Sequence, residues 1–184
     1  HLAQDLCSQG YSVTAIEPSR GMYEIARENL KYNNVNIFNE SLESYNEETK
    51  FDCIISHLVM HTVSNLKDFS KNLNEKLNCG GYVIFSIPHP CFFNQYKNIL
   101  GSDFKYSDRV FKEISFSISL DEDNIIKKVP YHHRMISEYI NTIINAGFSL
   151  CSFDEIMPDP TVEKLYPMEW SFPRYCVIIA QKNI

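Results

Sequence analysis

The stretch Tyr11–Asn29, "YSVTAIEPSRGMYEIAREN", decides how this chain folds. An apolar run ends on an acidic residue, Glu17, and a segment of helical spacing follows it. Ser19 stands where an N-cap belongs, and Met22, Ile25, Ala26 and Leu30 recur on one face. Strand, acid and helix in that order make one step of an α/β sheet, with a carboxylate at the strand's carboxyl end, where open sheets hold nucleotides by the ribose. Such a step normally follows a strand and a glycine-rich turn. Here only "HLAQDLCSQG" precedes it, read as the tail of a helix with Leu2, Leu6 and Cys7 on one face and Gly10 as its stop.

Downstream, "VNIFNESL" reads as a second short strand, and the polar "SYNEETK" leads into "FDCIISHLVMHTV". Its "CIIS" centre is apolar on both faces, as a parallel strand covered by helices requires. A helix is predicted in "SNLKDFSKNLNEKL", with Leu66, Phe69, Leu73 and Leu77 along one stripe and "NCGG" closing it, and "YVIFSIP" is the next buried strand. Alternating strands and helices with right-handed crossovers give a mostly parallel sheet with helices on both faces. From His89 to Val129 the pattern breaks into aromatics, a hairpin around "FKEISFSIS" and a polar "DEDN" turn, which predicts an insertion over the sheet's carboxyl edge. The helical pattern resumes in "HRMISEYINTIINAGF", with Ile136, Tyr139, Ile140, Ile143 and Ile144 facing inward and Gly147 as stop. Two strands, "SLCSFDEIMP" and "RYCVIIAQK", close the chain across a Pro-rich loop from Pro158 to Pro173.

With 184 residues, 44% hydrophobic and 22% charged, the chain suits a single α/β domain, residues 1–184, with a substantial core. Seventeen basic against 23 acidic residues give a net charge of -6, which disfavours generic binding to nucleic acid or anionic membranes. No apolar run approaches the roughly 20 residues of a membrane helix, and the first residues lack the regions of a signal peptide. Cys7, Cys53, Cys79, Cys91, Cys151 and Cys176 are scattered without C-x-x-C or metal spacing, so buried reduced thiols of a cytoplasmic protein are expected, and no metal.

These residues resemble a class I S-adenosylmethionine-dependent methyltransferase of the small-molecule, type 11-like group, whose central motif reads F-D-x-apolar-apolar-S. Here it is "FDCIIS", followed by "LNCGGYVIFSIPHP" where such enzymes have L-K-P-G-G and an apolar strand, and by "YHHRMISEYINTIINAGF" and "FPRYCVIIAQK" at their final helix and last strand. The resemblance implies a Rossmann-like sheet whose last strand is antiparallel, and S-adenosyl-L-methionine as cofactor. A nicotinamide-dependent oxidoreductase is the other reading of an acid at a strand end. Against it, Gly80-Gly81 sits directly before a strand and forms a turn, not a phosphate cradle.

By the resemblance, Glu17 takes the cofactor's ribose, bordered by Pro18 and Met22. Glu40, Ser41 and Leu42 surround the adenine, Ser56 offers a backbone carbonyl to the methionine amino group, and His57 and Leu58 follow above the methyl. Methyl transfer from a sulfonium needs in-line positioning and, for a hydroxyl or ammonium acceptor, removal of a proton. His61, His89 and His133 are the candidate bases. Tyr131, His132, His133 and Arg134 open the last helix, where Arg134 binds an acidic substrate group or caps a carbonyl. Phe92, Phe93, Tyr96, Phe104 and Tyr106, with Trp170 and Phe172, form either a lid over an apolar or cationic substrate or a satellite hydrophobic cluster. The partner expected is a small molecule, and a homo-oligomer is allowed.

The family's D-x-G-x-G-x-G motif lies on a strand before "HLAQDL", between the strands "SVTAIE" and "DCIIS". The expectation is therefore an amino-terminally incomplete domain whose first central strand and half of the cofactor pocket lie elsewhere. As such it is either an enzyme's larger part or a non-catalytic, methyltransferase-like interaction module.

Overall fold

In the computed structural model, which describes residues 1–31, 33–118, 121–166 and 169–184, with the backbone alone at 116–118 and 121–126, the chain forms two compact units, 1–49 and 50–184. In the first, helix α1 (Leu2–Ser8) stops at Gly10, whose φ of 91° ends a helix at no steric cost. Strand β1 (Val13–Ile16) pairs in parallel with β2 (Val35–Phe38), and helix α2 (Arg20–Leu30) connects them. Two strands cannot cover the apolar stripe of α2. Leu30 is buried, but Met22 and Ile25, expected to face inward, are 48% and 58% exposed.

The second unit carries a four-stranded sheet in the order β3-β4-β8-β7, with β3 at Phe51–His57, β4 at Leu77–Pro88, β7 at Phe148–Ile156 and β8 at Tyr175–Lys182. β3 and β4 are parallel, and β8 runs antiparallel to both β4 and β7, as the sequence implied for the last strand. Helix α3 (Leu66–Lys76) starts at Asn65, whose side chain accepts from the Asp68 amide at 3.2 Å, and it buries Leu66, Phe69 and Leu73. The "NCGG" segment, expected to be a turn before the strand, belongs to β4. The bend is still there, since Gly80 has φ 74° and a Cβ on Gly81 would meet carbonyl oxygens at 3.0 and 3.1 Å. Val83, Phe85 and Ile87 of β4 and Cys176, Ile178 and Ala180 of β8 alternate into the core.

The opposite face is thinner. Cys53 and Ile55 pair in register with Tyr82 and Ile84, and Ile55 and Tyr82 are 38% and 42% exposed, so β3 is not sealed on both faces as its apolar run suggested. Helix α5 (Ile136–Asn145) buries Tyr139 and Ile143 but leaves Ile144, expected to face inward, 46% exposed.

The segment after β4 holds helix α4 (Phe93–Lys97) and an antiparallel hairpin of β5 (Val110–Ile118) and β6 (Asp121–His133). The expected hairpin is present, but "DEDN" lies inside β6; Ser119 and Leu120 are outside the described residues. Tyr131–His133 end β6 instead of opening the last helix. Phe93, Leu100, Ile114 and Tyr131 bury one another, with Tyr96 and Phe104 packed against them, which makes this region a second small core. A short helix, α6 (Pro160–Glu163), precedes β8. All six cysteines are free; Cys53, Cys79, Cys91 and Cys151 are exposed rather than buried, and Cys176 alone is sealed.

Candidate functional site

In the first unit the carboxyl ends of β1 and β2 are tied together. The Glu17 amide donates to the Phe38 carbonyl at 3.0 Å, and the Asn39 side-chain amide donates to the Glu17 and Pro18 carbonyls at 2.8 and 3.2 Å. One Glu17 carboxylate oxygen accepts from the Ser19 amide at 2.8 Å, which sets the side chain across the β1–α2 turn; the other has no protein partner among the described residues. A half-buried carboxylate held by one oxygen, with the other free at a strand end, fits a ribose diol. Ser41 and Ser44 form a small hydrogen-bonded turn, with the Ser41 amide donating to the Ser44 hydroxyl at 3.0 Å. Glu40, Ser41 and Leu42 are half-buried there, beside an open hollow of about 510 Å³ that Glu47 and Glu48 also line. Pro18 and Met22 are exposed.

In the second unit the carboxyl ends of β3 and β4 are tied together by hydrogen bonds. The Leu58 amide bonds both the carbonyl and the hydroxyl of Ser86, at 3.0 and 3.3 Å, and His57 Nδ1 lies 2.7 Å from the same hydroxyl. Leu58 sits at φ 53°, a left-handed conformation costly for a branched residue. Such strain is held only where surroundings over-determine it, as they do at binding loops. Ser56 is buried and its hydroxyl has no partner.

The three histidines differ sharply. His89 is fully engaged: its Nδ1 accepts from the Cys91 amide at 3.3 Å, so Nε2 carries the proton and donates to Glu155 at 2.7 Å. His133 donates from Nε2 to the Tyr106 carbonyl at 2.9 Å, and its bare Nδ1 is buried without a partner between the rings of Phe104 and Tyr106. Burial holds His133 below the ordinary imidazole range. His61 is also buried, with Nδ1 shut off, and burial together with the Arg134 charge brings it down to about 4. Of these three, His61 alone keeps a ring nitrogen, Nε2, that is neither bonded nor sealed among the described residues.

Arg134 takes the second of its two expected roles. It is 7% exposed and donates to the Val63 and Ser64 carbonyls at 2.6 and 2.9 Å, which ties the loop after β3 to the end of β6; Glu138 sits 3.5 Å away. Tyr131 stacks on Phe93 at 4.2 Å inside the small core, so its ring is structural. Phe172 stacks on Phe92 at 5.2 Å. Trp170 is buried under Arg174, whose guanidinium carbon lies 4.3 Å from the ring centre, so that face already holds a cation of the protein's own. Arg174, Glu155 and Ser86 are thus neighbours of these groups that sequence spacing did not flag, and Tyr106 entered only as one of the aromatics of the insertion. Nothing in a linear pattern marks a residue whose role is set by a partner 20 or more positions away.

A family model described as a methyltransferase domain matches residues 1–85. The ubiquinone biosynthesis O-methyltransferase of Rickettsia akari is 31% identical over 87 residues, which are 46% of this chain and 35% of that protein, so the matching part spans about a third of the curated relative. Among solved structures, an S-adenosylmethionine-dependent methyltransferase from Listeria monocytogenes superposes with a TM-score of 0.69 at 22% identity, covering 94% of this chain and 81% of that one. The glycopeptide N-methyltransferase MtfA, solved with S-adenosyl-L-methionine, superposes with a TM-score of 0.67 at 12% identity, covering 97% and 75%.

Proposed function

We propose that this chain, a class I methyltransferase in its fold and in the sequence of its first 85 residues, belongs to an enzyme that moves a methyl group from S-adenosyl-L-methionine to a small molecule. The observation that carries this reading is Glu17: its carboxylate is pinned across the β1–α2 turn by the Ser19 amide with one oxygen left free. When bound, the cofactor supplies an electrophilic methyl on a sulfonium. The chain's own residues do the rest. Within the first unit Glu17 holds the ribose and Glu40, Ser41 and Leu42 border the adenine; within the second, Ser86 fixes the strained Leu58 at the end of β3.

Of the three candidate bases, His61 is the one we retain for taking a proton from the acceptor. His89 and His133 spend their Nε2 protons on Glu155 and Tyr106 and act as braces. No metal is required, and the net charge of -6 supports a small-molecule rather than a nucleic-acid acceptor. No helix among the described residues is long and apolar enough to cross a membrane, and the free thiols suit the reducing cytoplasm.

Calorimetric titration of S-adenosyl-L-methionine into the wild-type chain and Glu17→Ala tests the reading. Loss of a charge-assisted bond of about 1.5 to 3 kcal/mol weakens binding roughly tenfold to a hundredfold. Equal affinities would remove Glu17 from the site.

A further inference from the structure

We propose that Arg174 is a specificity-determining residue that receives a carboxylate of an anionic methyl acceptor. The proposal rests on the methyltransferase reading above and names the substrate class for it. Arg174 immediately precedes β8, and the register of Tyr175 opposite both Pro88 and Ile156 places it beyond the carboxyl ends of β4 and β7. Ligands of open α/β sheets lie at that edge. Its backbone is fixed there: the Arg174 carbonyl accepts from the His89 amide at 2.8 Å and from the Tyr96 hydroxyl at 3.0 Å.

The side chain is held but not neutralised. Its guanidinium carbon lies 4.3 Å from the ring centre of Trp170, 5.4 Å from that of Tyr96 and 5.7 Å from that of Tyr166. Aromatic faces steady a cation but accept no conventional hydrogen bond. Nε is shut from solvent with no acceptor, which is costly for a charged donor. Within the same unit Arg109 and Arg134 both reach Glu138, whereas Arg174 has no carboxylate within 4.0 Å among the described residues. Glu155, at the same edge, is taken by His89. Burial, and then the Arg174 charge, hold the Lys97 ammonium below its ordinary range.

A planar fork, pre-set by three rings and without a carboxylate partner among the described residues, is the arrangement that a carboxylate completes with paired, charge-assisted hydrogen bonds. A single guanidinium also balances a single negative charge. A cationic acceptor would meet like charge at the same face.

Trp170 is the chain's single tryptophan and lies against the guanidinium, so its fluorescence reads the site directly. Titration of the wild-type chain with benzoate and with its uncharged counterpart benzamide, without methyl donor, is the test. Benzoate is expected to saturate and to bind at least about tenfold more tightly than benzamide, with the advantage lost in Arg174→Gln and partly kept in Arg174→Lys. Equal binding of the two probes, or no saturation by benzoate in the millimolar range, overturns the proposal. The comparison on the wild-type chain does not depend on how the variants fold. Because no donor is present, failure here is distinct from failure to bind S-adenosyl-L-methionine.

Discussion

At the scale of single residues, the histidines show how burial assigns roles that residue type leaves open. His61 is held neutral, with its pKa near 4 against an ordinary 6.5, because burial and Arg134 both penalise the charged ring. The unfolded chain therefore binds a proton that the folded chain refuses between those values, and stability rises with pH through that window. The contribution, about 3 kcal/mol at most, is fully present above pH 6.5 and lost as pH falls towards 4. Denaturant midpoints measured from pH 7 to pH 4 should fall less steeply in His61→Leu than in wild type; parallel slopes would mean that His61 titrates normally. Arg134 is a second case. Arg134→Met leaves the Val63 and Ser64 carbonyls without their donor and Glu138 without its buried partner, at an expected cost of about 2 to 4 kcal/mol by urea unfolding. Glu17 and the histidines were visible in the sequence as candidates because strand ends can be read from it. Arg174 was not, since its surroundings are three rings that only folding brings together.

At the scale of elements, periodicity located the strands and helices but overstated how much of each is buried. The α3 stripe is sealed as read, so Leu73→Ala should cost about 2 to 5 kcal/mol, whereas Ile144→Ala on α5, predicted inward but 46% exposed, should cost well under about 1 kcal/mol. Thermal unfolding of the two variants separates these cases, and similar losses would show that α5 packs more deeply than its exposure indicates. The difference arises because an apolar stripe states which face a helix offers, while the width of the surface opposite decides how much of it is used. The segment 89–129 was legible as a departure from alternation. Its self-contained core around Phe93 and Tyr131, and the extension of β6 to His133, were not, because long hairpins carry no fixed-length signal and their aromatics read equally well as a lid.

At the scale of the whole molecule, the described strands leave β3 with one ladder partner, β4, and an adjoining face on which Ile55 and Tyr82 stay partly open. An edge strand with a free ladder side invites pairing between chains, and exposed apolar side chains on its face add to that tendency. Light scattering of concentrated protein should show self-association that Ile55→Lys reduces without lowering the unfolding free energy by more than about 0.5 kcal/mol. Unchanged scattering would place the contact elsewhere.

The sequence by itself determined the class of fold, the order of elements and the acid at the end of β1, because these follow from short-range periodicity and from the chemistry of a strand's end; the antiparallel last strand came from the family resemblance of its motifs. Only the tertiary structure decided that His89 and His133 are braces while His61 keeps an open nitrogen. It also decided that Arg134 caps a loop and that Arg174 stands boxed by rings with no carboxylate within 4.0 Å among the described residues. Those outcomes depend on partners far apart along the chain and on how completely water is excluded, and neither is written in local spacing.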